Sequence, residues 1–449
     1  MSEPHVSELD VSELDVSERD VSERDVAGAR LRDEGRVISL VPQQVEAPSL
    51  EQVAPPGRRS TGAGGVPPLR IAMVGTRGVP ASYGGFETAV EEVGSRLAQR
   101  GHEVTVYCRG EAPVVRQHLG MRLVHLPAVS SKHLETLSHT GLSTAHLFTH
   151  SPPDVAIVFN AANAPFLPLI KARGVPVATH VDGLEWKRGK WGRAGRHYYR
   201  AAESLAVRWS DALIADARGI QDYYRDEFGT ASTLIAYGAP VLTQVGTDHL
   251  AGLGLRAGEY HLVVARFEPE NHVDLAVQGL LRSGSRHPLV VVGSAPYSDR
   301  YTERVRALAA PDPRVRLLGA LYDQPLLDEL YAHALSYVHG HSVGGTNPSL
   351  LRAMGAGTAV LAYDVVFNRE VLGPDGRFFG TADVLARLLE QAEADPGDVA
   401  VRAGHLQDRA AALYRWEDVA TAYEQLCARL VAADRQRVPA TGRRLPQPV

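Results

Sequence analysis

His339-Gly-His-Ser-Val-Gly-Gly-Thr-Asn-Pro-Ser-Leu-Leu-Arg-Ala-Met354 joins an apolar, strand-like run to a helical pattern through a glycine-rich turn. Such a turn exposes backbone N–H groups, its glycines let a ligand approach the backbone closely, and the positive end of the helix dipole favours an anion there. A second element of the same kind lies far upstream. Gly75-Thr-Arg-Gly-Val-Pro-Ala-Ser-Tyr-Gly-Gly-Phe-Glu-Thr88 follows the apolar run Leu69 to Val74. Two strand-loop-helix sites in different halves of one chain predict a ligand held in a cleft between two domains.

Outward from these loops, strand-like runs alternate with helical stretches, which is the pattern of parallel sheets built from strand-helix-strand units. The expected strands of the first half are Arg70 to Val74, Glu103 to Cys108, Arg122 to Leu126, Val155 to Phe159, Val175 to Thr179, Ala212 to Ala215 and Thr233 to Ala236. Those of the second are His261 to Ala265, Leu289 to Val292, Val315 to Leu318, Leu335 to Val338 and Ala359 to Ala362. Each half reads as a doubly wound α/β domain, with ligands expected outside the carboxyl ends of the strands. The expected organisation is a low-complexity tail over 1–67, domains over 68–245 and 246–415, a final helix over 416–433 and a tail over 434–449.

The 449 residues, 44% hydrophobic, suffice for two sizeable cores, and no apolar run approaches the roughly 18 residues of a membrane span. An acidic amino terminus without an apolar leader reads as cytoplasmic. The net charge of −5 sits in the tail, because residues 1–25, built on the repeats Val-Ser-Glu-Leu-Asp and Val-Ser-Glu-Arg-Asp, hold nine acids and two arginines. With too little apolar content for a core, that segment reads as a solvated, disordered tail. The remainder is near neutral, and nothing indicates a nucleic-acid partner. Cys108 and Cys427 are the two cysteines, far apart and in no metal-ligand spacing.

The loop Gly75 to Thr88 lacks G-x-G-x-x-G spacing, and the next strand ends in Tyr107-Cys108-Arg109 with no acid, which disfavours a dinucleotide enzyme. Gly84 and Gly85 suit close approach by a phosphate or substrate. Arg266, ending the strand from His261, can offer a phosphate two charge-assisted hydrogen bonds, or can pair with Glu268 or Glu270. In His180-Val-Asp-Gly-Leu-Glu-Trp-Lys-Arg188, Asp182 is a candidate proton acceptor with His180 as its rival, while Glu185 can instead pair with Lys187 or Arg188. From Trp186 to Trp209 basic residues alternate with aromatic ones, a surface suited to an anionic acceptor or membrane headgroups. His339 and His341 lie close to the anion loop.

Taken together, these loops with Phe367-Asn-Arg-Glu370 resemble the family 4 glycosyltransferases of the GT-B fold, especially a bacterial rhamnosyltransferase-like branch that makes capsule, exopolysaccharide or cell-wall glycans. The resemblance covers roughly residues 69–430. It implies two Rossmann-like domains, a nucleoside diphosphate sugar bound mainly by the second, an acceptor bound mainly by the first, here expected to be lipid-linked or a glycan, no metal, and a last helix crossing back to the first domain; the expected location is the cytoplasm, with peripheral contact at the inner face of the plasma membrane an open alternative. It assigns Asp182 and Arg266 to catalysis. To substrate binding it assigns Gly84, Gly85, His180, Glu185, Gly344, Gly345, Thr346, Asn347, Ser349 and Arg352. Three departures from the wider family involve four positions: Gly344 and Arg352 stand where two glutamates flank the donor loop, Asn271 replaces a basic residue, and Ala217 replaces a frequent serine. Arg352 is unusual for the branch as well. It can favour a deoxythymidine donor with one hydroxyl fewer, add a phosphate contact, or mark a weak enzyme that serves as a scaffold partner.

Overall fold

The computed structural model describes residues 66–81, 84–110, 116–129, 134–181, 183–188, 191–294 and 299–437. The repeat segment, Asp182 and residues 438–449 lie outside them. Two sheets organise the described chain. The first contains β1 (Arg70–Val74), β2 (Glu103–Arg109), β3 (Gln117–His118), β4 (Met121–Leu126), β5 (Val155–Phe159), β6 (Val177–His180), β7 (Ala212–Ala215) and β8 (Thr233–Leu234). Their order is β3-β4-β2-β1-β5-β6-β7-β8, parallel except for the β3–β4 pair. The second contains β9 (His261–Val264), β10 (Leu289–Val292), β11 (Val315–Gly319), β12 (Ser336–His339), β13 (Val360–Tyr363) and β14 (Arg377–Phe379), ordered β11-β10-β9-β12-β13-β14 and parallel throughout.

Each sheet is covered on both faces, so its central strands are apolar at every position. On β1, Ile71 and Met73 enter one core while Ala72 and Val74 enter another. On β10, Val290 and Val292 face the first of these cores, whereas Leu289 and Val291 face a third. The core shared by both halves also takes in Trp416, Tyr423 and Leu426 of the last helix, Trp416–Arg437. All described residues belong to one compact unit.

The expected doubly wound α/β architecture is present in both halves. Sequence patterning missed the short edge strands β3 and β14. It also started β6 two residues early, because Pro176 has no N–H to give the ladder, although its carbonyl accepts from Ala156 N at 3.0 Å.

Helix Trp416–Arg437 returns to the first sheet and packs beside α1 (Gly85–Gln99). Buried Glu424 accepts from His102 Nε2 at 2.9 Å and from Arg100 Nη1 at 2.8 Å. Because Leu69 N donates to His102 Nδ1 at 3.1 Å, the ring proton sits on Nε2 and points at the carboxylate. Without Glu424 the Arg100 guanidinium keeps Glu417 at 3.0 Å, but the buried His102 Nε2–H is left without its acceptor, at a cost of about 1–3 kcal/mol. Glu424→Ala should therefore lower the urea midpoint by that equivalent; a midpoint within error of wild type would show that the helix is held by apolar packing alone.

Candidate active site

In an open parallel sheet the crevice lies where neighbouring strands send their connections to opposite faces. In the first sheet that point falls between β1 and β5, and in the second between β9 and β12. The two points face one cleft of about 330 Å³. Gly75, Thr76, Arg77 and Asn160 line it from the first half; Arg266, His341 and the run Val343 to Pro348 line it from the second.

The second-half wall is built by stitching the loop after β9 to the loop after β12. His272 Nδ1 donates to the Gly340 carbonyl at 2.7 Å, and Ser342 N donates to Glu270 O at 2.9 Å. Asn271 Nδ2 holds the Arg266 carbonyl at 2.8 Å, and Asn368 Nδ2 holds the His341 carbonyl at 3.0 Å. Asn347 caps helix Pro348–Gly355, accepting from Ser349 N at 3.0 Å and Ser349 Oγ at 2.7 Å. Gly344 has φ 127°, a conformation that favours glycine. The cleft thus combines a guanidinium, a cluster of backbone amides and a helix start, which is the chemistry of a phosphate site.

The two walls touch where side chains are absent. A Cβ on Gly183 would lie 2.7 Å from Gly344 C, one on Gly85 would lie 3.1 Å from Pro348 Cγ, and one on Gly345 would lie 1.9 Å from Asp216 Oδ1. Thr346 Oγ1 donates to the Asp216 carbonyl at 2.5 Å. Asp216, just beyond β7, lines the cleft with its carboxyl buried, and no described residue bonds Oδ1. Burial raises this carboxyl to about 7, against the pull of its own amide and that of Thr346. Near neutral pH it can accept a hydrogen bond from a substrate hydroxyl or, protonated, donate one to an anion.

Of the residues singled out from sequence, Gly84, Gly85, Glu185, Arg266, Gly344, Gly345, Thr346 and Asn347 line this cleft, and Asp182 lies outside the described residues. Glu185 has its carboxylate committed to Arg188 Nε at 2.5 Å, and Arg188 reaches Glu270 at 3.8 Å across the cleft. His180 does not reach the cleft. It shares the face of Ala178, two residues earlier on β6, so it turns inward: Nδ1 meets Tyr423 Oη at 2.9 Å, the ring lies 5.1 Å from Phe86, and burial lowers its pKa to about 3. Ser349 spends its N–H and hydroxyl on the Asn347 cap rather than on the cavity. Arg352 lies outside the cleft lining, 3.3 Å from Asp328 on helix Gln324–Ala332. His341 lines the cleft, stacked on His339 at 4.5 Å, and burial with the nearby cations Arg266 and Arg188 holds it neutral.

In the basic, aromatic segment the arginines Arg193, Arg196, Arg200 and Arg208 are exposed, while several aromatic side chains turn to the protein. Trp191 and Tyr199 line the cleft, Tyr198 Oη donates to Ala162 O at 2.7 Å, and Trp186 Nε1 donates to Tyr223 Oη at 3.3 Å. Sequence reasoning overlooked Asp216, Arg77, Arg109, Glu87 and Glu135 as cleft residues. Placement just beyond the carboxyl end of a parallel strand was the available signal for Asp216 and Arg77, and Arg109 ends β2.

Comparison with known proteins agrees with this geometry. Residues 84–238 match the glycosyl transferase 4-like domain, and residues 259–394 match the glycosyl transferases group 1. The chain is a GT-B glycosyltransferase. This glycosyltransferase is 26% identical over 424 residues to a glycogen synthase of Mycobacterium tuberculosis, covering 85% of the chain and 97% of the relative. In fold it is similar to the sucrose-phosphate synthase of Thermosynechococcus elongatus, with TM-score 0.71, 21% identity, and coverage of 81% and 99%. It is also similar to Anabaena HepE in complex with UDP-glucose, with TM-score 0.66, 14% identity, and coverage of 81% and 100%.

The raised Asp216 carboxyl makes a pH-resolved prediction. A carboxyl whose folded value exceeds its unfolded 3.8 contributes stability that is intact at acid pH and lost as pH rises through about 7. Asp216→Asn cannot ionise, so its melting temperature should match wild type near about pH 4 and exceed it near about pH 8. An equal offset at both would remove ionisation from the account.

Proposed function

We propose that the cleft transfers a glycosyl group, with retention, from a nucleoside diphosphate sugar to a hydroxyl of a lipid-linked or glycan acceptor in bacterial surface polysaccharide synthesis, with rhamnose a candidate sugar. The supporting observation is the shared second-half wall, where Arg266 and the amides of Gly344 to Thr346 converge opposite Gly84 and Gly85. HepE, bound to UDP-glucose, lends the nucleotide sugar its chemical class and makes UDP-glucose the first donor to test.

In this reading the bond between the sugar's anomeric carbon and the phosphate oxygen breaks while the acceptor oxygen attacks from the same face. The acceptor proton passes to the departing phosphate. Charge accumulates on the diphosphate as the bond breaks, and donors already fixed around it stabilise that charge without reorganising. Arg266 and the loop amides supply this countercharge in place of a divalent ion. Asp182 is assigned to take a proton or to stabilise the positive charge that develops on the sugar. Arg352, paired with Asp328, is left outside the phosphate contacts.

Loss of one such donor typically costs about 3 kcal/mol, roughly a hundredfold in rate. Arg266→Ala should therefore lower kcat at least that far with an unchanged melting profile; near-normal turnover would exclude the assigned role. Full activity in Asp182→Asn would likewise take Asp182 off the catalytic list. Calorimetry with dTDP, UDP and GDP, with and without magnesium, should show metal-independent binding of one nucleotide. Binding of none would favour a scaffold protein.

A further inference from the structure

One cleft residue, His341, takes no part in the transfer as described, yet the loop after β12 holds it from both sides. The Gly340 carbonyl accepts from His272 Nδ1 at 2.7 Å, and the His341 carbonyl accepts from Asn368 Nδ2 at 3.0 Å. Ser342 gives both its N–H and its hydroxyl to the Glu270 carbonyl, at 2.9 and 3.0 Å. Gly340 packs so closely that a Cβ there would lie 2.1 Å from Asn271 O. The side chain is held as well, its ring nearly parallel to that of buried His339, at 14° and 4.5 Å. Three consecutive residues are thus tied to the segments after β9 and β13, which leaves the imidazole little freedom to swing.

The two ring nitrogens have different surroundings. Nδ1 is buried with no hydrogen-bond partner among the described residues, so Nε2 is the nitrogen that His341 offers to the cleft it lines. Buried N–H groups without an acceptor are rarer than buried lone pairs without a donor, which puts the ring proton on Nε2. The imidazole stays neutral, because burial and the neighbouring His339, Arg266, Arg188 and His272 hold its pKa down. It is therefore an N–H donor of fixed direction and no net charge, set among cations three residues before the loop amides that begin at Gly344. Such surroundings select an anion.

Resting on the reading of the cleft as a sugar-transfer site, we propose that His341 is a further catalytic residue, its Nε2–H donating a hydrogen bond to the departing phosphate beside Arg266. The bond between anomeric carbon and oxygen leaves its electron pair on that phosphate, and the N–H meets the charge that results. The acceptor's proton still passes to the phosphate, and the imidazole keeps its own. A hydrogen bond of this kind strengthens as charge grows on its acceptor, so it favours the transition state over the bound donor. Being neutral, it holds the released diphosphate less tightly than another guanidinium would.

Calorimetry on the full chain tests this without an acceptor, using UDP, dTDP and GDP, and then the diphosphoglucose of the nucleotide that binds. The free nucleotide carries the extra charge of the departed group, and the sugar nucleotide does not. His341→Phe keeps a flat ring against His339 but has no N–H. It should bind the nucleotide about tenfold more weakly than wild type and the sugar nucleotide roughly threefold more weakly, with an unchanged melting temperature. His341→Gln restores an N–H near the place of Nε2 and should recover most of the loss. Equal weakening of both ligands in His341→Phe, or wild-type affinity for the nucleotide, overturns the proposal. Equal affinity losses in the Phe and Gln variants, with lowered melting temperatures in both, overturn it too, by reducing the ring to a prop for the loop. If wild type binds no nucleotide, the donor reading fails and this inference with it, a result distinct from nucleotide binding that ignores His341.

Discussion

The rest of the site depends on one steric constraint: the backbone of the loop after β12 must come within touching distance of the first half. Gly345 lies against the Asp216 carboxyl with no room for a Cβ, and Thr346 donates to the carbonyl of the same aspartate. Lengthening this contact by one side chain would separate Arg266 and the loop amides from Gly84 and Gly85. Electrostatic stabilisation falls steeply with misplaced donors, so the cleft's chemistry is bounded by packing rather than by charge alone.

A second layer of support comes from outside the cleft. The loops after β9 and β12 are tied by main-chain carbonyls accepting from His272 and Ser342, and Asn368, beyond β13, holds a carbonyl of the second loop. Such bonds involve groups with fixed geometry, so they position a phosphate site more rigidly than a ring of flexible charged side chains would. His180 belongs to the same support: neutral and buried, it joins the end of β6 to Tyr423, and its ring packs on Phe86 near the start of α1.

The two-sheet architecture was legible because apolar runs such as Arg70 to Val74 and Leu289 to Val292 are buried on both faces and stand out from their neighbours. Both anion-loop elements were legible for a related reason, since glycine spacing and a helix start are local signals. What escaped was non-local. Arg352 looked like a donor-site residue until Asp328, on a separate helix, was seen to hold it. His180 sits at the right end of its strand, but only the returning helix determines that its face is interior. Asp216 owes its raised carboxyl to burial, to which the close approach of Gly345, about 130 residues away, contributes, and no window of sequence contains both.

The returning helix also sets an order of events during synthesis. The ribosome makes α1 and the first sheet early, yet Trp416, Tyr423 and Leu426, which complete their shared core, emerge last. Until then the newly made first half must present an apolar face to its surroundings, a condition that favours association with chaperones or with other nascent chains. Completion of the second half then closes both cores together, so the two halves should mature as one cooperative body rather than as two independent domains.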